Sequence, residues 1–127
     1  MTLRTFLPLA LLSTLGCAPV TTSTSVSSHT YPAKGENCDI AILTQAPTDR
    51  KFEELAILHT LADDSTNGRD LNAMLPSMKA KACALGADAI IIKGVDPGPA
   101  AEIIGPANRK TGTAWGVAIK FLPDVRQ

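Results

Sequence analysis

An uninterrupted apolar run at residues 89–92, Ala-Ile-Ile-Ile, constrains the fold more than any other part of this sequence. A strand with apolar side chains on both faces has to lie inside a sheet that is covered on both sides. Met78, Ala82 and Leu85 recur at helical spacing directly before it. Gly86 then follows, as a glycine does at a helix C-terminus. We therefore predict a helix that ends near Leu85 and leads into an interior strand.

Three further strands and one proline set the order of elements. Residues 39–44 and 115–121 alternate between apolar and polar or small side chains, as strands do. The stretch 52–62 fits either a strand or a helix, and we favour the strand because a lone first strand needs a neighbour. Since a proline is tolerated only in the first turn, Pro76 places the start of the helix between residues 72 and 76. The predicted core face of the last strand consists of Trp115, Val117, Ile119 and Phe121.

The predicted fold is therefore α+β, with the order ββαββ. Its small four-stranded sheet should be mostly antiparallel, with the one helix packed on a face.

The N-terminus has the layout of a bacterial export signal. Arg4 gives it a positive start, and residues 6–12 form an apolar stretch that is too short to span a bilayer. This stretch leads to Leu15-Gly16-Cys17, which resembles the lipobox of bacterial lipoproteins. The resemblance implies cleavage before Cys17, a diacylglyceryl group on its thiol and acylation of the new amine.

The residues on either side of the cysteine bear on processing and sorting. Ala18 follows the cysteine where Asp would direct retention in the inner membrane, so the resemblance implies an anchor in the outer membrane. Thr14 stands where the lipobox usually has Leu. Ordinary signal-peptidase cleavage and an uncleaved anchor are therefore the alternatives.

Composition divides the rest of the chain into a tether and one domain. Residues 18–37 are rich in Ser and Thr and bury too little apolar surface to offset the entropy of ordering them. A flexible coil of 20 residues would span about 25 Å, and His29 and Tyr31 would be solvated spacers within it. The predicted division is 1–16 signal peptide, 17–37 lipidated cysteine and disordered tether, 38–123 small α+β domain and 124–127 tail.

The cysteine count is explained if Cys17 carries lipid, because Cys38 and Cys83 then remain as a possible pair. Two thiols in an oxidising periplasm commonly form a disulfide, and a loop of roughly 45 residues would stabilise the fold by about 4 kcal/mol. A simple hairpin of the first two strands argues against the bond, since it puts Cys38 and the helix C-terminus at opposite ends. Bonded cysteines need Cα atoms within about 7 Å. Without a C-x-x-C spacing, a redox-catalytic pair is not expected.

Residues 81–92 read Lys-Ala-Cys-Ala-Leu-Gly-Ala-Asp-Ala-Ile-Ile-Ile. A helix that ends in Leu-Gly-Ala-Asp-Ala before an aliphatic strand is similar to a group of small bacterial envelope lipoproteins. The group includes the outer-membrane stress sensor of the Rcs phosphorelay, and its domain resembles the YbjQ-type α+β fold. That sensor family has two disulfides, whereas this domain has cysteines for one, so the resemblance implies the broader group.

Metal sites are not indicated by the sequence. Asp63, Ser65, Asn67 and Gly68 imitate the first half of a calcium loop. Met74, however, stands where the last ligand should be Glu. His59 is the only histidine in the predicted domain, and we expect it to be a partly buried strand residue and not a zinc ligand.

The charge balance and the absence of known motifs argue against several other classes of protein. Twelve Lys and Arg balance twelve Asp and Glu, which leaves no electrostatic reason to bind nucleic acid. Glu53 and Glu54 are adjacent on a strand and face opposite ways, so they do not form a catalytic pair. No catalytic or phosphate-binding motif occurs, and no cofactor is expected.

These observations predict a non-catalytic envelope lipoprotein that acts through protein contacts as a sensor, adaptor or assembly factor. Its partners would be the lipid bilayer, reached through the acyl chains on Cys17, and an unidentified envelope protein. The alternatives are an envelope module that binds a small ligand or a metal, and a hydrolase that pairs Ser77 with His59.

Overall fold

The computed structural model describes residues 18–62, 71–96 and 112–124. The predicted signal peptide and Cys17 lie outside these residues, as do the calcium-like positions Asp63, Ser65, Asn67 and Gly68. The elements are β1 Val20–Ser25, β2 Ala41–Leu43, β3 Phe52–Ala62, α1 Leu71–Ala84, β4 Ala89–Asp96 and β5 Gly112–Phe121. The predicted α+β class is confirmed, as are the strand at 52–62 and the helix that ends before Gly86.

The described strands form one five-stranded mixed sheet in the order β1-β3-β5-β4-β2. β1 pairs with β3, β3 with β5 and β4 with β5, all antiparallel, whereas β2 pairs with β4 in parallel. The four-stranded ββαββ prediction was therefore wrong in two respects. It lacked β1, and it paired β2 with β3 although those strands lie in different parts of the sheet.

β1 falls within residues 17–37, which were predicted to be a disordered tether. Its sequence is Val-Thr-Thr-Ser-Thr-Ser, and it pairs with β3 over all six residues, from Val20 with Leu61 to Ser25 with Ala56. An edge strand needs few large apolar residues, because its backbone bonds to one neighbour and threonine is well suited to a pleated surface. The low apolar content of this segment therefore did not imply disorder.

The helix begins at Leu71, and Pro76 lies inside it on an exposed position. The prediction that a proline must lie in the first turn was wrong here. The predicted C-terminus is confirmed in detail: Gly86 has a φ of 74°, and its N–H donates to the carbonyl of Cys83. The N–H of Ala87 donates to the carbonyl of Ala82, which completes a Schellman motif.

The core has a large side under the helix and a small side on the opposite face of the sheet. On the helix side, Met74, Met78 and Ala82 are fully buried against Leu58 and Ile90. The small cluster on the other face consists of Ala89, Ile91, Val117 and Ile119. β4 is thus buried on both faces, as its apolar run predicted.

β5 turns its small residues, and not its large ones, toward the helix. Ala114 and Ala118 belong to the helix-side core, and Gly116 lies between them with no room for a Cβ. The prediction that the large residues of β5 face the core was therefore wrong for the helix side of the sheet. The bulky residues Val117 and Ile119 of β5 belong instead to the cluster on the other face of the sheet.

Candidate functional site

Residues 26–40, which we call the strap, join β1 at one edge of the sheet to β2 at the other. They have no regular secondary structure, yet the domain holds them at three points. The strap runs past the C-terminal end of α1, where Gly86 leaves space for it. A Cβ on Gly86 would lie 2.6 Å from the carbonyl oxygen of Pro32 and 2.8 Å from Cβ of Tyr31.

The first fastening is a disulfide between Cys38 and Cys83, whose Cα atoms are 5.9 Å apart. This confirms the pairing. The geometric objection to it disappears because β2 runs parallel to β4, so the start of β2 lies beside the end of α1. The N–H of Ala41 donates to the carbonyl of Asp88 at 3.2 Å, which fixes that position.

The second fastening is centred on Glu53 at the start of β3. Its carboxylate accepts hydrogen bonds from the Ser27 hydroxyl, from the Tyr31 hydroxyl at 2.5 Å and from Nδ1 of His29 at 2.6 Å. The bond from Ser27, followed by those from Tyr31 and His29, lowers the pKa of Glu53 to about 2. The same carboxylate raises the pKa of the Tyr31 hydroxyl, chiefly because the hydrogen bond between them favours the neutral phenol.

Tyr31 is therefore not a solvated spacer, and that prediction was wrong. The side chain of His29 bonds to Glu53 but is 71% exposed. Glu54, the neighbour of Glu53, is exposed. The sequence did contain one hint of this arrangement, since Tyr31 is the only tyrosine in the chain and stands in an otherwise small and polar segment. An aromatic ring there has apolar area to bury, and Tyr31 packs against the helix-side core.

The third fastening is centred on Asp88, between α1 and β4. Its carboxylate accepts a hydrogen bond from Lys34 Nζ at 2.5 Å and one from the N–H of Phe121 at 2.8 Å, and Lys120 Nζ lies 3.5 Å away. Burial acts to raise the pKa of Asp88, but the hydrogen bonds and the charges of the two lysines together outweigh it and lower the pKa. The strap backbone is held as well, because the N–H of Lys34 donates to the carbonyl of Cys83 at 2.8 Å.

The other end of the sheet carries an exposed apolar patch, which we define as Val20, His59, Leu61 and Trp115. Val20 and Leu61 are paired across β1 and β3 and are 61% and 55% exposed. His59 is paired with Trp115 across β3 and β5, and their rings stack with centroids 6.3 Å apart. All four project from the face of the sheet opposite α1. His59 was predicted to be partly buried and is instead exposed.

Trp115 is 42% exposed and lies over Gly94 of β4. A Cβ on Gly94 would be 2.5 Å from the indole Nε1, so the glycine leaves room for the ring. The indole is thus partly covered, by Gly94 and by the ring of His59, and partly exposed to solvent.

The outer edge of β1 is the second surface available for contacts. Among the described strands, none pairs with it. Its six residues include no charge and no proline, and its pairing with β3 has no bulge. Natural proteins usually protect edge strands with such features, so an unprotected edge is suited to accept another strand.

β1 itself is joined to the domain by a short chain of hydroxyl groups. The Thr21 hydroxyl lies 2.7 Å from the hydroxyls of both Thr60 and Ser77. Ser77 therefore lies on the helix side of the sheet, whereas His59 projects from the opposite face. The structure does not bring together the two residues of the hydrolase alternative.

The described part of the chain contains neither a metal-binding cluster nor a membrane-spanning helix. Within residues 18–62, 71–96 and 112–124, the His, Cys, Asp and Glu side chains nowhere gather in the groups of three or more that hold a metal ion. Met74, which occupies the last position of the calcium-like pattern, is fully buried in the core. In the described part of the chain, no helix has both the length and the apolar character needed to cross a membrane.

The chain matches no protein-family model, and no curated protein matches it. A similar solved structure is the crystal structure of FvfA, a Francisella virulence factor, in its orthorhombic form. The TM-score is 0.57, with 14% sequence identity, over 79% of this chain and 96% of that one. At this level of identity the similarity shows a shared fold.

Proposed function

We propose that this protein is a bacterial envelope lipoprotein, anchored through lipid on Cys17, whose domain acts by protein contacts and not by catalysis. The anchor would lie in the outer membrane, with the domain in the periplasm or at the surface. A sensor, adaptor or assembly role is the one that the resemblance to small envelope lipoproteins favours.

The observation that carries this proposal is the disulfide between Cys38 and Cys83. Structural disulfides persist in oxidising compartments and are rare in the cytosol. The bond is independent of the export signal at the N-terminus, so two unrelated features support an extracytoplasmic location. Because the bond uses the two cysteines of the domain, Cys17 is the one left to carry lipid.

The outer edge of β1 supports the role in protein contacts. An incoming strand from a partner would bond to its free backbone groups, and the alternate side chains of β1 would contribute selectivity. The side chains of Thr22 and Thr24 are exposed at this edge.

Intact mass spectrometry of the native protein, purified from membranes, tests the anchor. We expect a chain that begins at Cys17, carries acyl groups and lacks two hydrogen atoms because of the disulfide. A Cys17→Ser variant should lose the acyl groups, whereas a Cys83→Ala variant should keep them. A native chain that retains residues 1–16, or has no acyl group, would refute the lipoprotein proposal.

Site-specific photo-crosslinking in cells tests the contact surface. A photoreactive residue in place of Thr22 should give a discrete protein adduct. The same residue in place of Asp39, which is exposed but lies outside the edge, should not give that adduct. Equal adducts from both positions, or none from Thr22, would argue against strand addition at β1.

A further inference from the structure

We propose that the exposed apolar patch of Val20, His59, Leu61 and Trp115 rests on the surface of the membrane that holds the anchor. This inference rests on the proposed function, because it requires lipid on Cys17. It adds a second, non-covalent contact between the domain and the bilayer and fixes which side of the domain faces the lipid.

The first step is the length of chain between the anchor and the fold. Val20, the first residue of β1, is three residues after Cys17. Three extended residues span at most about 10 Å. The headgroup region of one leaflet is itself about 5–8 Å thick, so most of this link is used in leaving the membrane. A lipidated Cys17 would therefore hold the start of β1 at the bilayer surface.

The second step is what the sheet presents at that place. Val20 and its partner Leu61 are both more than half exposed, and they share a face with Trp115. Tryptophan is enriched at membrane interfaces, where its apolar ring and its N–H both find suitable surroundings. The patch thus combines aliphatic side chains with an interfacial aromatic residue at the end of the sheet from which the anchor leaves.

The third step is the contrast with the far end of β1. Val26 follows β1, is 49% exposed and lies roughly 20 Å along the strand from Val20, at the rise of about 3.3 Å per residue. It is the same residue type with similar exposure but has no short link to the anchor. Val26 is therefore a matched control for Val20.

Trp115 is the only tryptophan in the chain, so its fluorescence reports this surface alone. The full lipidated protein would be reconstituted into phosphatidylcholine vesicles with and without a lipid brominated near the headgroup. We expect a blue-shifted emission in vesicles and strong quenching by the brominated lipid. Val20→Asp and Leu61→Asp should each remove most of the quenching, whereas Val26→Asp should leave it unchanged.

A variant with 20 Gly and Ser residues inserted between Ala18 and Pro19 tests the role of the short link. Such a coil spans about 25 Å, so the domain would leave the surface more often and the quenching should fall. Circular dichroism spectra that match the native protein would show that the variants are folded.

Three results would overturn the inference. The first is an absence of Trp115 quenching in protein that is shown to be lipidated. The second is a loss of quenching in Val26→Asp that is as large as the loss in Val20→Asp. The third is shielding of Trp115 that depends on protein concentration in detergent without vesicles, which would assign the patch to a second copy of the chain. Absence of acyl groups in the mass measurement is a separate result and would remove the proposed function itself.

Discussion

Removal of the disulfide between Cys38 and Cys83 should cost this small domain a large part of its stability. The bond closes a loop with a sequence separation of 45 residues. In the chain-entropy treatment, closing such a loop in the unfolded chain is worth about 4 kcal/mol. A domain of this size has a free energy of unfolding of about 5–15 kcal/mol, so the bond would supply a quarter or more of it.

Urea denaturation of the purified mature protein in detergent measures this effect. We compare the native protein, the same protein after reduction, and the Cys38→Ala/Cys83→Ala variant. With a denaturant dependence of about 2 kcal/mol per molar urea, a loss of about 4 kcal/mol lowers the midpoint by about 2 M. The reduced protein keeps both sulfur atoms, so its difference from the alanine variant measures the packing of the two cysteine side chains against the core.

Hydrogen exchange separates the local effect from the global one. The N–H of Lys34 donates to the carbonyl of Cys83, directly beside the bond. Its protection should fall on reduction by more than that of the β5 amides under conditions where the domain stays folded. Equal midpoints for oxidised and reduced protein, or unchanged protection at Lys34, would refute the view that the bond fastens the strap.

Four further outcomes follow from single contacts. Tyr31 is the only tyrosine, so absorbance of its phenolate should show a pKa above 10.0, and Glu53→Ala should return it toward that value. The pKa of Glu53 is depressed from 4.5 to about 2, so its stabilising effect is complete above pH 4.5 and is lost as pH falls toward 2. The protection factor of the Ser27 amide, which donates to the carbonyl of Leu55, should fall over that range after the intrinsic pH dependence of exchange is divided out. Gly86→Ala should lower the free energy of unfolding by about 2–4 kcal/mol in urea, since it combines a left-handed φ with a clash against Tyr31. Thr21→Val should cost about 1–3 kcal/mol in the same assay because the buried Thr60 hydroxyl loses its partner.

Local sequence patterns predicted those parts of the fold whose structure depends on the burial of apolar side chains. The apolar run at 89–92 became an interior strand, and the glycine at position 86 ended the helix. Pro76 was misread because the rule against proline treats a helix as isolated. In the folded domain, Met74 and Met78 are fully buried on either side of it and hold the helix in place.

The strap and β1 were missed because what holds them is polar and distant in sequence. Glu53 receives three hydrogen bonds from residues 27–31, and Asp88 receives Lys34 from 54 positions away. The sequence pattern of residues 18–37 does not indicate those contacts, because the partners Glu53 and Asp88 lie outside the segment. The disulfide was the one long-range contact that the sequence indicated, because compartment and cysteine parity are properties of the whole chain. An incorrect hairpin had argued against it.

Because β1 and the strap are held to the domain, a lipid-anchored domain would stay closer to the membrane than one on a flexible tether. Had residues 18–37 been a free coil, an anchored domain could have searched a shell about 25 Å deep beyond the membrane. With β1 paired from Val20 onward, that length of chain is taken up by the fold, and a lipid anchor on Cys17 would leave a link of about 10 Å. The link would then be kept short by the contacts that hold β1 and the strap to the domain. These contacts are the Thr21 hydroxyl bonds, the Glu53 cluster and the Cys38 disulfide. A partner that binds the outer edge of β1 would have to present its own strand close to the bilayer. This favours an integral or lipid-anchored envelope protein over a freely diffusing periplasmic one.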